Sequence, residues 1–370
     1  GVQKSEELHW HQGEFACMSY YASVDDCGVL FDLDEVKEFF ESRKDISVWV
    51  IHNAMFDVQA LRALDIHLTG KLWDTLVVER VLFSNYYSGF SLQDLAARYL
   101  DIYLEKEAYA SLSDKSISRD DLYQYALTDA QVTFLIYEKQ MEIMMKEPQL
   151  LKLYTYIEEP ILWAVMDFKP VPVDKEAWLA QAERFRQEYE EVNAKLGINV
   201  RSSNQVKEFL KKHGIKLEST EESELAKHAG NVFVDQIILA RGLSKAYTTY
   251  GENWAEKYIR DGYVRASWHT YGTVTGRITC SNPNLQQIPS SSFPIFRSFF
   301  KAKPGHKLII ADISAQEPRI VALLSNDQRM IDIFRNNSDI HTEVARAIFN
   351  DPTITKEKDK EKRQIGKRIG

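Results

Sequence analysis

Asp312-Ile313-Ser314-Ala315-Gln316-Glu317-Pro318-Arg319 follows the apolar run Leu308-Ile309-Ile310-Ala311, and the junction reads as a strand that stops at an acid and turns into a helix. An aspartate at a strand end can present its carboxylate, and the carbonyl beside it, to a divalent cation, as phosphoryl transfer requires. A purely local reading also exists, because Asp is favoured at a helix N-cap and Pro318 fits a first helical turn. The surrounding residues bear on the choice. Thr275-Gly276-Arg277 and Pro283-Asn284-Leu285-Gln286-Gln287-Ile288-Pro289 precede the stretch, and Asp339-Ile340-His341-Thr342 follows it. Arg363 and Lys367 stand four apart, hence on one helical face, inside a basic run from Lys356 to Arg368. Taken alone, such a run reads as a solvated helix face.

At 370 residues the chain exceeds what one hydrophobic core usually supports, so two or three domains are expected. Its 44% hydrophobic, 27% charged and 12% aromatic residues are those of a globular protein and exclude a disordered or fibrous one. No apolar run approaches the roughly 20 residues of a membrane span, and no signal-peptide pattern opens the chain, so an intracellular, cytoplasmic protein is expected. Cys17, Cys27 and Cys280 are widely spaced with no Cys-x-x-Cys, which indicates neither a disulfide framework nor a zinc knuckle. Net charge is −8, but residues 1–150 carry about −13 and the remainder about +5. A duplex would seat on the basic half, since affinity for phosphates comes from clustered Lys and Arg.

Strand-like runs at Glu14–Ala22 and Gly28–Leu33 are divided by Val24-Asp25-Asp26, and a helix is expected over Asp34–Ser42. A short buried strand, Val48–Ile51, is followed by a helix over Asp57–Ala63, and helical patterns dominate from Ser91 to Lys146. This order implies a mixed sheet covered by helices. Pro170 and Pro172 break the pattern. Amphipathic, charge-rich helices over Lys175–Lys195 and Val234–Arg260 form a candidate extended arm. Strands are expected at Tyr263–His269 and Lys307–Asp312, with helices from Glu317 onward. The chain begins with Gly1 rather than Met and reaches Gly370 inside a basic helical pattern with no breaker, so it is expected to continue at both ends.

In the acidic half, Asn53 and Asp57 stand four apart just after a strand, and Tyr125 and Asp129 stand four apart on a helical segment, which puts the latter pair on one face. Phosphodiester hydrolysis by two metals needs several carboxylates around hard cations such as Mg²⁺ or Mn²⁺, with a polar group to orient water. Each pair alone is ordinary surface chemistry.

Together, His52-Asn53-Ala54-Met55-Phe56-Asp57, Asp74-Thr75, and Tyr125 with Asp129 resemble the second and third motifs of the 3′–5′ proofreading exonucleases. The resemblance implies that Asp57 and Asp129 hold metal, Tyr125 orients the water and Asn53 supports the site. The first motif of that group, Asp-x-Glu on an opening strand, has no match here and is expected upstream of Gly1.

The set from Thr275 to Lys367 resembles the family A, polymerase I-like DNA polymerases in order and approximate spacing, from about Glu158 onward. The two resemblances imply an α/β plus α+β multidomain chain: an RNase H-like 3′–5′ exonuclease domain at 1–148, a helical thumb at 149–260, the first part of the palm at 261–326, and the start of the fingers at 327–370 of a right-hand polymerase. They imply that Asp312 and the Ile313 carbonyl bind catalytic metal and that Glu317 excludes the ribose 2′ hydroxyl. His341, Arg363 and Lys367 would grip the triphosphate of a deoxynucleotide. Arg277, Asn284 and Gln286, with Arg241 and Lys245 of the thumb, would touch primer–template DNA. Pro318 stands where bacterial members usually have Leu, and Ile313 where Tyr is common, a pattern similar to phage-type members. The implied second palm carboxylate lies beyond Gly370, so this polypeptide alone is expected to be inactive in synthesis. Two other readings compete. One is a stand-alone RNase D-like exonuclease, in which the Thr-Gly-Arg and Asp-x-Ser-x-x-Glu sets have no task, and the other is a non-catalytic DNA-binding scaffold.

Overall fold

The structure, a computed structural model, describes residues 15–104, 117–290 and 293–369. It divides after Pro304 into two compact units, a boundary inside the stretch expected to open the palm.

The first unit begins with the antiparallel hairpin β1 (Met18–Ser23) and β2 (Asp26–Leu30), then α1 (Leu33–Ser42). Glu14, expected to start the first strand, lies outside the described residues. β3 (Val48–Ile51) leads into α2 (Ala54–Ala63), and β4 (Lys71–Asp74) into α3 (Thr75–Phe83). β3 and β4 pair in parallel with Ile51 opposite Asp74, so both strands end at one level and both chains turn into helices there. The mixed sheet expected from the sequence appears among the described residues as this parallel pair and the separate antiparallel hairpin. α4 (Leu92–Leu100) opens on a Ser91–Asp94 capping box. The long α5 (Arg119–Lys146), capped by Ser118, packs on β1, β2, β3, α3 and α4.

The helices of this region are locked by buried polar groups as well as by the apolar core of Val58, Leu72, Trp73, Val77, Val78 and Met144. Gln140 of α5 accepts from Trp73 Nε1 at 3.2 Å and donates to Thr75 O and Glu79 Oε2, both at 2.9 Å. Glu79, fully buried, also accepts from Tyr99 at 2.7 Å and pairs with Arg98. A buried carboxylate is tolerable only with such partners. The segment 148–166 continues helically, and the Tyr154 hydroxyl donates to Leu72 O at 2.7 Å while accepting Asp74 N–H at 2.8 Å, tying this segment to β4.

After β5 (Val171–Pro172), α6 (Lys175–Leu196) and α8 (Val232–Tyr250) pack along each other, with α7 (Ser203–Lys212) between them in sequence. Their cores are built on Trp178, stacked on Trp254 at 4.3 Å, and on Val200, Leu210, Leu225 and Ile237. The helix expected to reach Arg260 stops at Tyr250. Gly251 is extended there, a Cβ on it would stand 1.9 Å from Tyr247 O, and the chain restarts as α9 (Glu252–Tyr258). β6 (Ile259–Arg260) and β7 (Tyr263–Val264) join β5 in a three-stranded antiparallel sheet, whereas β8 (Ser267–His269) pairs with β9 (Thr279–Ser281). The single strand expected over Tyr263–His269 is therefore two, because its halves have different partners.

The second unit contains α10 (Gln316–Ser325), α11 (Gln328–Arg335), α12 (Ile340–Phe349) and α13 (Lys360–Ile369). The strand expected at Lys307–Asp312 is absent. Ile309 and Ile310 are 91% and 93% exposed, and no described strand of this unit pairs with them. Apolar residues do not make a strand without a neighbour to receive the backbone hydrogen bonds. No helix of the described residues is long and apolar enough to cross a membrane.

Candidate active sites

In the first unit the sites are built around the ends of β3 and β4. Asn53 sits in the left-handed region at φ 61°, a conformation Asn accepts more readily than most residues, and this bends the chain from β3 into α2. Asp74, 1% exposed, receives Asn53 N–H at 3.0 Å and Ala54 N–H at 2.8 Å on its two oxygens, then Leu76 and Val77 N–H at 2.9 and 3.4 Å. One carboxylate thus caps two helices, an arrangement made possible by the parallel register. Burial nevertheless pushes its carboxyl up to about 6, against these four donors.

Asp57 lies one turn into α2. The residue is exposed at the surface, yet loss of hydration beside surrounding protein raises its carboxyl to about 6, and the Asp74 charge adds to this. On α5 the Tyr125 hydroxyl donates to Asp129, as the four-residue spacing implied. Burial raises the Asp129 carboxyl, and its Oδ1 is buried with no hydrogen-bond partner among the described residues. An orphaned anionic oxygen of this kind suits a cation as partner. No group of three or more His, Cys, Asp or Glu side chains converges at metal-binding distance among the described residues.

Burial also lowers the His52 imidazole to about 4, with Nδ1 2.9 Å from Thr75 Oγ1. The folded state therefore resists a proton that the unfolded chain accepts near 6.5, and stability falls as pH drops from about 6.5 toward 4. Asp57 and Asp74, raised in the fold, act in the opposite direction over much of this window. The His52 contribution is read as a difference: between pH 7 and pH 5 the wild type should lose roughly 1–2 kcal/mol more unfolding free energy than His52→Asn. Parallel urea-denaturation profiles for the two proteins would remove this role.

The sequence-identified DNA-contact residues divide by what holds them. Arg277 lies in a tight turn in which Gly276, at φ 73°, donates to Thr273 O and Arg277 N–H reaches Thr273 Oγ1 at 3.1 Å. Asn284 caps the short helix Leu285–Gln287 through Gln286 N–H at 3.1 Å, and Gln286 donates its amide to Ile278 O at 3.0 Å. Both side chains thereby fix the loop after β9. Arg241 turns inward, donating to Val200 O at 2.7 Å, to Thr220 O and to Thr220 Oγ1 at 3.3 Å, and it lines an open cleft of about 440 Å³ with Arg201 and Lys207. Lys245, one turn on, is exposed. The pair expected to share one task is thus split into an internal tie and a surface cation.

In the second unit Asp312 is exposed and its carboxylate accepts no hydrogen bond from any described residue. The N-cap of α10 is Ala315, at φ 53°, with no side-chain cap, so the local reading of Asp312 as a helix cap is not realised. Ile313 is 66% exposed and Glu317 stands in the first turn of α10. Arg319 holds this corner by donating Nε to Ser314 O at 2.9 Å and lying over the Phe334 ring. α12 and α13 pack closely: a Cβ on Gly366 would lie 2.4 Å from His341 O and 3.0 Å from Ala345 N. Arg363 pairs in two places with Asp339, at 2.6 and 2.8 Å, while Lys367 has no ion-pair partner among the described residues. Burial, then the Arg363 and Lys367 charges, lower the His341 imidazole against the pull of Asp339, so these four groups lie within electrostatic reach of one another.

Sequence reasoning gave Asp74 and Asp339 no task. Each stands just before a helix, which marks a cap. Their second partners, 20 to 24 residues distant, are tertiary.

A chain of helices and small sheets, with carboxylates at and after the ends of a parallel strand pair in its first unit and an exposed aspartate with a basic cluster in its second, is the class these features define. The DNA polymerase family A model matches residues 174–370 and the 3′–5′ exonuclease model residues 9–145; the chain belongs to DNA polymerase family A and carries a 3′–5′ exonuclease domain. DNA polymerase I of Treponema pallidum is 30% identical over 325 residues, covering 81% of this chain and 32% of that protein. DNA polymerase I of Chloroflexus aurantiacus is 27% identical over 352 residues, covering 86% and 37%. The chain spans about a third of the length of these relatives. The POL domain of Pol1 from M. smegmatis, solved in complex with DNA primer-template and dNTP, shares the fold with a TM-score of 0.77 at 19% identity, over 93% of this chain and 62% of that one.

Proposed function

We propose that this chain is the portion of a DNA-directed DNA polymerase that edits the primer end and begins the nucleotide site. Residues 1–148 form the exonuclease domain, 149–260 the thumb, 261–326 the first part of the palm and 327–370 the start of the fingers. The observation that carries the reading is Asp312: a carboxylate left exposed, with no hydrogen bond from any described residue, in the same unit as the His341, Arg363 and Lys367 cluster. The primer–template and dNTP named for the M. smegmatis domain are the partners proposed here.

Mg²⁺ or Mn²⁺ would be held by Asp312 with the Ile313 carbonyl in one site, and by Asp57 and Asp129 in the other, where the orphaned Asp129 oxygen supports the fit. The ion supplies charge stabilisation for an in-line phosphoryl displacement. Around it, Glu317 excludes a ribose 2′ hydroxyl, and His341, Arg363 and Lys367 offset the charge of the leaving pyrophosphate. Lys245 and Arg277 contact the duplex, the latter in the minor groove, where acceptors are shared by all base pairs. In the editing domain Tyr125 orients the attacking water.

Asp129→Ala in the full-length enzyme separates the two activities. Removal of a mismatched 3′ nucleotide should fall at least about 100-fold, and extension of a matched primer should stay within about twofold of wild type. Equal trimming by the variant, measured on a labelled mismatched primer, would remove Asp129 from the editing site. Loss of extension to the same degree would contradict the division of labour.

A further inference from the structure

Asp339 makes four side-chain hydrogen bonds. Its Oδ2 accepts Thr342 N–H at 3.0 Å, Thr342 Oγ1–H at 2.6 Å and Arg363 Nε–H at 2.6 Å, and its Oδ1 accepts Arg363 Nη2–H at 2.8 Å. Each side chain of the ion pair is only about one quarter exposed. The Arg363 guanidinium beside Asp339 holds that carboxyl well below the usual carboxylate range. Capping α12 does not require an acid, because Ser, Thr and Asn cap as well as Asp. The charge is what the Arg363 contact uses, and that contact lies next to the cations to which the nucleotide phosphates are assigned.

We infer that Asp339 is an internal stand-in for phosphate, occupying one edge of the Arg363 guanidinium until an anion on the α13 face takes a share of it. The inference rests on the proposed triphosphate role of Arg363 and Lys367. A guanidinium offers five N–H donors, and the side-on contact through Nε and Nη2 leaves both Nη1 hydrogens and one on Nη2 for a second anion. Close packing at Gly366 fixes α13 on α12, so Arg363 cannot swing clear of Asp339 by moving its helix. An arriving phosphate therefore meets a cation already half neutralised and a carboxylate of its own sign. Asp339 lowers affinity for bare polyanions while keeping Arg363, His341 and Lys367 compatible when no anion is present. It thereby favours a phosphate tail whose charge is partly offset over a free one.

The test is calorimetric titration of inorganic tripolyphosphate, without divalent metal and at low ionic strength, into the 370-residue chain. Asp339→Ser keeps a capping hydroxyl but cannot reach Arg363. Asp339→Asn keeps a cap and one hydrogen bond without charge. Asp339→Ser should tighten binding about three- to tenfold, with Asp339→Asn between it and wild type. Lys367→Ala should weaken it. If Asp339→Ser does not fold, Asp339→Asn alone decides, and unchanged or weaker binding by it overturns the inference. Weakening by Lys367→Ala without tightening in either Asp339 variant also overturns it and leaves the triphosphate reading standing. If neither Lys367→Ala nor Arg363→Ala alters the affinity, the triphosphate reading itself falls, and this inference with it.

Discussion

In the full-length enzyme Asp312→Ala is expected to reduce template-directed nucleotide addition by about 10³-fold or more, while affinity for primer–template stays within about twofold. The size follows from what the residue supplies: removing a single preorganised electrostatic group from a phosphoryl- or acyl-transfer site costs about 10²–10³ in rate, and a metal ligand holds a larger charge than one hydrogen-bond donor. Duplex affinity should persist because Asp312 supports no part of the fold. It does not cap α10 and accepts no hydrogen bond from any described residue, so its removal leaves no described donor unpaired. Single-turnover primer extension and a filter-binding titration on the same preparation measure the two quantities. Near-normal extension would take Asp312 out of the site, and parallel loss of duplex affinity would make it a structural residue.

What the sequence discloses and what it withholds divide along a physical line. The Tyr125–Asp129 pair was legible because a helix places i and i+4 on one face, whatever surrounds it, and the hydrogen bond between them follows. The start of α10 was legible for a similarly local reason. The strand at Lys307–Asp312 was read from apolarity, but a strand depends on a partner that the run itself does not contain, and Ile309 and Ile310 stand exposed. Arg241 and Lys245 share a spacing yet differ in environment, because Val200 and Thr220, remote in sequence, supply the carbonyls that draw Arg241 inward. Spacing reports which residues share a face, and burial decides what that face does. The same limit hid the Asp339–Arg363 pair, although both residues had been singled out, since the close approach of α12 and α13 depends on Gly366 fitting against His341 O.

Asp74→Ala is expected to destabilise the exonuclease domain by about 4 kcal/mol. Four backbone N–H groups terminate on the Asp74 carboxylate, and the Ala54 residue carrying one of them is fully buried. Deleting an N-cap acceptor costs about 1 kcal/mol in an exposed helix, and leaving a buried donor unpaired costs about 1–3 kcal/mol. Here one truncation removes the side-chain acceptors at the starts of α2 and α3 together, while the Tyr154 hydroxyl keeps its bridge between Asp74 N–H and Leu72 O. The raised Asp74 carboxyl shows that ionising this group is itself unfavourable in the fold. Its contribution therefore arises from the geometry of its acceptors, and it declines as pH rises from about 4 to 6 before levelling off. Asp74→Asn isolates that point: the amide retains one acceptor oxygen for Asn53, Leu76 and Val77 but turns an NH₂ toward the Ala54 N–H, so a loss of about 2 kcal/mol is expected, with a flatter pH profile than wild type. Urea denaturation, with hydrogen exchange at the first amides of α2 and α3, separates the cases. Protection unchanged in both variants would show that the two helix starts are held by packing and not by this carboxylate. Because Asn53 and Asp57 leave β3 through that same start, a loosened α2 should also carry Asp57 out of position, and trimming of a mismatched 3′ end should fall in Asp74→Ala even where the domain remains folded.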